Sequence, residues 1–398
     1  MNGLHLIGDL SGCRCDPQLL LDGAGMRERC VRLVAEAGLT TMDANFHQFD
    51  GGGYTGMVLL AESHLALHTW PERQGITLDV YVCNYSADNS QKARKLFGDI
   101  IALFQPTEVA RHAIDRNEHL LMEPLNDSTG FYIKASRQVG EWQTRFQKMQ
   151  IYETPHYGRI FRLDGFNMTS EKEEFVYHEN LVHPAAITHP KPERALIVGG
   201  GDGGSAEELL KHPSIRSVTL VEIDLAVVDI SRKYLQAVHR GSLEDPRLAL
   251  RIEDGLAFVR NSTEVYDLIV LDLTDPGGPS TPLYTPEFYK SCAARLNPIG
   301  AMTLHIASPV AHPARVRKTL ADLRSAFPVV TPYLTSVPLY GGMWMMACCS
   351  ATLDPSYLTP LEVERRLAQR GVGGLQYYNG DMHRAGLALP NFVKTLVA

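Results

Sequence analysis

Residues Ala195 to His212 read ALIVGGGDGGSAEELLKH. A short apolar run, a glycine-rich turn and a helix-forming stretch follow one another, the order strand, turn, helix. Gly199, Gly201 and Gly204 satisfy G-x-G-x-x-G, and Glu222 lies near the distance at which an acid takes a ribose. That pattern alone suggests NAD, with its pyrophosphate on amides at the helix start. Asp202 inside the loop argues against it, because a carboxylate there repels a pyrophosphate and attracts a cation such as a sulfonium or an ammonium. The pattern therefore predicts a nucleoside ligand without phosphates and no NAD. Glu222 at the end of SVTLVEID is placed for the ribose, and Asp254 with Gly255 in RIEDG for the base. S-adenosylmethionine or a relative meets that description.

Working outward, strands alternate with helices from Arg194 onward, which predicts a doubly wound, Rossmann-like α/β domain over residues 191–350. Asp272 and Asp275, in YDLIVLDLTDPGGP, fall at the C-terminal end of a strand, where such sheets present residues to their ligand. Two carboxylates there can hold an amine. The alternative role for Asp275 is to cap the turn with its side chain. The tail, 351–398, holds one helix, PLEVERRLAQRG, ending at Gly371, and then an aromatic-rich stretch with no evident reading. Upstream, short β-rich runs separated by turn residues predict a small β-domain over 131–190. Periodicity is lost from about Ala113 to Gly130, so 119–130 reads as a linker. Residues 1–118 mix β-rich runs such as ITLDVYVC with helical ones such as SQKARKLFGDIIALF, the pattern of an α+β domain.

At 398 residues the chain exceeds what one core usually supports. Its net charge of −7, with no block of Lys or Arg, lacks the footprint of a nucleic-acid partner. The absence of any bilayer-length apolar run predicts no membrane association and a cytoplasmic location. Seven scattered cysteines without C-x-x-C pairs predict reduced thiols and no metal site.

A second dense segment is GMVLLAESHLALHTWPE, Gly56 to Glu72, followed by a strand ending at Cys83. Any one of its polar residues could be a satisfied turn residue. Together they resemble the processing site of bacterial and archaeal pyruvoyl-dependent S-adenosylmethionine decarboxylases, an α/β sandwich family, over the first 110 or so residues. The resemblance implies cleavage between Glu62 and Ser63, with Ser63 converted to a pyruvoyl group. That group forms a Schiff base with the substrate amine and serves as the electron sink for loss of carbon dioxide. By the same resemblance His68 assists the elimination with Thr55, and Cys83 returns a proton to the product. Phe49 stacks on the adenine and Glu72 takes the ribose hydroxyls. Thr55 departs from the serine usual in that family, although a hydroxyl remains.

The motifs GGGDGG, VEID, EDG and D-x-x-DP-x-GP, with TRFQ, LDG and EEFVYHE upstream, resemble the spermidine synthase family from about Gly130 to Ser350. That resemblance implies displacement at the methylene beside a sulfonium by an amine, with Asp272 as general base. Asp202 and Tyr177 are implied to orient the amines, His178 to bind substrate, Gln147 to contact the nucleoside, and Tyr340 to belong to a late substrate loop. Met168, where a ribose-contacting glutamine is usual, and Leu273 depart from the pattern. The two resemblances imply a bifunctional polyamine enzyme that makes decarboxylated S-adenosylmethionine and transfers its aminopropyl group to putrescine, giving spermidine and methylthioadenosine. The alternatives are a first domain that decarboxylates ornithine or arginine, or that is silent, and a second that is a methyltransferase. Both families imply a homo-oligomer.

Overall fold

The computed structural model describes residues 3–84, 87–116 and 119–398. They divide into two units, residues 1–119 and 120–398. The expected boundary at residue 118 lies outside the described residues.

The first unit is an antiparallel sheet of β1 (Gly3–Ser11), β2 (Thr41–Gln48), β3 (Tyr54–Leu60), β4 (Ser63–Trp70), β5 (Gly75–Cys83) and β6 (Glu108–Asp115). Their order is β2-β3-β4-β5-β1-β6. Period-two alternation decides which face is covered. Val58, Leu65, Leu67, Leu78 and Val80 pack beneath the helices Gly23–Glu36 and Ser90–Phe104, against Met26, Cys30, Val34, Leu96, Ile100 and Phe104. Truncating Leu65 or Leu67 to alanine there costs about 2–5 kcal/mol. The alternate residues, among them Met57, Leu59, His68 and Trp70, are left exposed. Strands β3 and β4 meet through a two-residue turn, Ala61–Glu62, because Leu60 pairs with Ser63.

Strand β7 (His119–Pro124) begins at the last residue of the first unit and leads into the second, where it pairs with β8 (Gly130–Ala135) as a two-stranded sheet. The expected linker over 119–130 is therefore a strand and its turn. Asn126 makes that turn, its side-chain oxygen accepting the amides of Ser128 and Thr129. A four-stranded sheet follows, of β9 (Arg137–Gln143), β10 (Lys148–Thr154), β11 (Gly158–Leu163) and β12 (Phe166–Ser170). The expected β-domain ends here rather than at 190, because the next element is the helix Glu174–Thr188. Nearly every residue of that helix is buried, and it packs on the large sheet.

That sheet comprises β13 (Arg194–Gly199), β14 (Ser217–Glu222), β15 (Leu248–Ile252), β16 (Tyr266–Asp272), β17 (Leu296–Ala307), β18 (Val329–Val337) and β19 (Gly342–Ser350). The order is β15-β14-β13-β16-β17-β19-β18, parallel from β15 through β17, with β19 antiparallel to both neighbours. Helices on both faces explain why β13 and β16 are nearly continuous apolar runs. The strand order reverses between β13 and β16, so the crevice opens at their C-terminal ends. The tail is not an appendage. Its helices Pro360–Arg370, Gly380–Leu387 and Asn391–Val397 pack on the unit, and the fully buried Glu179 carboxylate accepts the amides of Gln376, Tyr377 and Tyr378 at 2.7, 2.9 and 2.6 Å.

Candidate active sites

The crevice holds a cleft lined by Gln147, Met168, Tyr177, His178, Asp202, Glu222, Asp254, Gly255, Asp272 and Tyr340, together with the loop Gly199–Gly201. Nine of the ten binding or catalytic residues expected for this unit thus line one cavity. Gly199 has φ +81°, and a Cβ there would stand 2.1 Å from the Asp272 carbonyl. Only glycine lets the ends of β13 and β16 close up in this way. A Cβ on Gly204 would likewise strike the His178 ring, at 2.2 Å.

The loop amides are occupied by the chain's own carboxylates. Asp202 Oδ1 accepts from the Gly204 amide at 3.0 Å, and Glu222 Oε2 from the Gly201 amide at 3.2 Å. A pyrophosphate would have to displace both. Burial pushes the Glu222 carboxyl up to about 7, although backbone amides oppose it. The Asp254 carboxylate caps the helix Gly255–Asn261.

Deeper in, His178 stands between two aspartates. Its Nε2 lies 3.6 Å from Asp202 Oδ2 and 3.9 Å from Asp272 Oδ2, and its Nδ1 is 2.8 Å from Glu174 Oε2. Arg240 donates to the other Glu174 oxygen at 2.8 Å. Burial disfavours the charged imidazole, but Asp202 and Glu174 outweigh it and hold His178 well above the usual histidine range. Burial and the neighbouring Asp202 both raise Asp272, which keeps it a better proton acceptor than an ordinary aspartate. In Asp202, burial is outweighed by His178, and its carboxyl is lowered. His178, Asp202 and Asp272 also present three ligand atoms within 4.8 Å of one another, a grouping able to hold a metal ion as well as an ammonium.

Asp275 lies off the cleft lining. It does not cap its turn, because its Oδ2 accepts from Arg315 at 2.8 Å and its Oδ1 stands 3.3 Å from His305 Nε2. Sequence reasoning missed His305, which bridges Tyr177 Oη at 2.9 Å and Tyr284 Oη at 3.1 Å. A histidine inside the apolar strand β17 was the available signal. It also missed Ser205, whose hydroxyl donates to Asp272 Oδ2 at 2.7 Å. Tyr340 stacks edge-on to Tyr177, with ring centroids 5.5 Å apart, and its hydroxyl donates to the Met168 carbonyl.

In the first unit the expected residues fall into two groups. At one end of the sheet, Thr55 and His68 are cross-strand partners with Oγ1 and Nδ1 2.6 Å apart. Exposed Phe49 and Glu72 flank them at the ends of β2 and β4. At the other end lie Glu62, Ser63 and Cys83. Ser63 has φ +132°, a conformation that costs a non-glycine residue about 1–3 kcal/mol. The Cys83 amide donates to the Glu62 carbonyl at 2.8 Å. Ser63 and His68 are five residues apart on β4, so their Cα atoms are about 16 Å apart at strand rise. Within one chain the two groups do not meet.

The family described as "S-adenosylmethionine decarboxylase" matches residues 4–117, and that described as "Spermine/spermidine synthase domain" matches residues 174–356. The polyamine aminopropyltransferase of Nitrosomonas europaea is 47% identical over 281 residues, 71% of this chain and 86% of that protein. That of Bacillus subtilis is 36% identical, covering 69% of this chain and 97% of its own length. A solved spermidine synthase in complex with the transition state analogue AdoDATO superposes with a TM-score of 0.67 at 34% identity, over 71% of this chain and 96% of that one. Spermidine synthase from Thermotoga maritima gives 0.66 at 34%, over 71% and 95%. The chain belongs to the polyamine aminopropyltransferase family and carries an S-adenosylmethionine decarboxylase domain ahead of it.

Proposed function

We infer that the chain performs two consecutive reactions, decarboxylation of S-adenosylmethionine by the first unit and aminopropyl transfer to putrescine by the second. In the transfer, the amine nitrogen bonds to the methylene beside the sulfonium and the C–S bond breaks to release methylthioadenosine. The proton leaving the nitrogen goes to Asp272. Gln147, Glu222 and Asp254 line the part of the cleft suited to the nucleoside, while Asp202, His178 and Tyr177 are placed to orient the amine. Because binding precedes a displacement with little covalent assistance, positioning and desolvation supply most of the acceleration.

The observation that carries the bifunctional reading is the Glu62–Ser63 junction. A strained serine follows a carbonyl already polarised by the Cys83 amide, which fits attack of the Ser63 hydroxyl on that carbonyl and the making of a pyruvoyl group from Ser63. That group supplies an electron sink for loss of carbon dioxide. Cys83 is placed near it as a proton donor. The 16 Å between Ser63 and His68 supports a homo-oligomer in which Thr55, His68, Phe49 and Glu72 of one copy complete the Ser63 end of another.

The test is intact mass of the purified protein, followed by assay with S-adenosylmethionine and putrescine. Two fragments split between Glu62 and Ser63, with carbon dioxide, spermidine and methylthioadenosine released, support the reading. An uncut chain that makes spermidine only from supplied decarboxylated S-adenosylmethionine overturns the first half. Release of carbon dioxide from ornithine or arginine instead reassigns the first unit's substrate.

A further inference from the structure

The helix Ser90–Phe104 starts at Asn89, and an asparagine at a helix start ordinarily turns its side chain back onto a free amide of the first turn. Asn89 makes no such bond. The Ser90 amide goes to Asp88 Oδ1 instead, at 2.9 Å. The Asn89 side chain reaches away from the helix, its Nδ2 donating to Glu62 Oε2 at 2.8 Å and to the Cys83 carbonyl at 3.2 Å. Its Oδ1 accepts from Lys92 Nζ at 2.9 Å, and its backbone amide donates to Asn84 Oδ1 at 2.9 Å. Asn89 is 4% exposed, so these bonds are shielded from competing water.

One buried amide thus joins the side chain of the residue before the candidate cleavage point to the carbonyl of the residue whose own amide holds the Glu62 carbonyl. Helix capping does not account for that arrangement, and sheet pairing alone does not require it. The contact between the Cys83 amide and the Glu62 oxygen, at 2.8 Å, lies in the range over which a donor stabilises an oxyanion.

We propose that Asn89 is a positioning residue for self-cleavage, locking the Glu62 carbonyl onto the Cys83 amide so that charge developing on that oxygen is met by a fixed donor. The inference rests on the reading that the chain cuts itself between Glu62 and Ser63. In the step concerned, Ser63 Oγ bonds to the Glu62 carbonyl carbon and the hydroxyl proton is transferred to the Ser63 nitrogen as the C–N bond breaks. The product is an ester of Glu62 on the Ser63 oxygen, with a free Ser63 amine. The next step removes the Ser63 Cα proton and breaks the Cβ–O bond, freeing Glu62 as a carboxylate. Asn89 takes no part in it.

The test follows cleavage of full-length protein by mass over time after synthesis, for the wild type, Asn89→Ala, Asn89→Asp and the exchange pair Glu62→Gln with Asn89→Asp. Loss of a buried bond to a carboxylate predicts cleavage slowed about 10- to 100-fold in both single variants. The stalled chain resists hydroxylamine, which cuts an ester but not an amide. The exchange pair recovers part of the rate, because the amide and carboxylate have traded places. Hydrogen exchange over residues 63–83 should show the sheet intact in each variant. An uncut wild type overturns the underlying reading of the cleavage site. A wild type that cuts beside an Asn89→Ala chain cutting equally fast overturns the role of Asn89. So does a stalled Asn89→Ala chain that hydroxylamine splits at 62/63, since the fault would then follow ester formation.

Discussion

The Ser205 hydroxyl donates to Asp272 Oδ2 at 2.7 Å, and so one oxygen of the candidate base is satisfied by the glycine loop's own helix. A donor to the charged form lowers a carboxyl's pKa, here acting against burial and Asp202. Ser205→Ala should move the acid limb of the transfer rate profile to higher pH and reduce kcat/KM about 10-fold. Ser205→Thr should restore both. Asp272→Asn should lower kcat about 10²–10⁴-fold, with the nucleoside product still bound. A pH–rate series on the three variants checks these outcomes.

Glu222 yields a prediction with a definite sign. Its folded pKa of about 7 stands above the ordinary value of 4.5. Its protonation therefore favours the folded state fully below about 4.5, and that contribution is lost as pH rises to about 7. Ribose hydroxyls donate to a carboxylate, so methylthioadenosine should bind more tightly above pH 7 than at pH 5.5. Glu222→Gln should weaken binding about 10- to 100-fold and flatten the pH dependence, as read by calorimetry.

Two separately disabled chains should repair each other if the first unit's sites are shared between copies. Ser63→Ala has no serine to convert, and His68→Ala lacks the assisting imidazole. Co-expressed, they form mixed pairs in which the Ser63 end of one faces the His68 end of the other. Intact mass should then show cut His68→Ala chains, whereas that variant alone stays uncut. No cutting in the mixture would place both ends of the site in one copy, against the 16 Å of strand between them.

Removal of metal bears on the cluster of His178, Asp202 and Asp272. If the cluster holds an ammonium, prolonged treatment with a chelator leaves the transfer rate unchanged. Loss of activity restored by one divalent ion would instead assign the cluster to that ion.

Glu179 binds three amides of the tail and follows Tyr177 and His178 on one helix. Glu179→Ala leaves three donors without a partner and should destabilise the second unit by about 3–5 kcal/mol, measured by thermal melting.

The readable parts of the sequence were those where one residue type has one physical use. Apolar runs buried on two faces, the glycines at 199 and 204, and acids at strand ends each left a local mark, and the Rossmann-like sheet and most of its cleft followed. The strand pair around Asn126 was hidden because its alternation is short and its turn is rich in Asn, Asp and Ser. His305, Ser205 and Arg240 were hidden for a different reason. Their partners lie tens of residues away, and neither spacing nor composition records a contact made only by folding. Asn89 was hidden in the same way, since it stands at a helix start while its side chain bonds Glu62 and the Cys83 carbonyl.

The strand order of the first unit determines what a cut between Glu62 and Ser63 can do. Strands β1, β2 and β3 belong to the piece before the cut, and β4, β5 and β6 to the piece after it. Yet β1 lies between β5 and β6. The two pieces are interwoven, and the smaller cannot depart without tearing an interior strand from the sheet. Severing the backbone would convert a single polypeptide into a permanent two-subunit assembly, one copy of each, with the transferase still covalently joined to the larger piece. The supply of aminopropyl donor and the capacity to use it would then be matched one to one from the moment of translation.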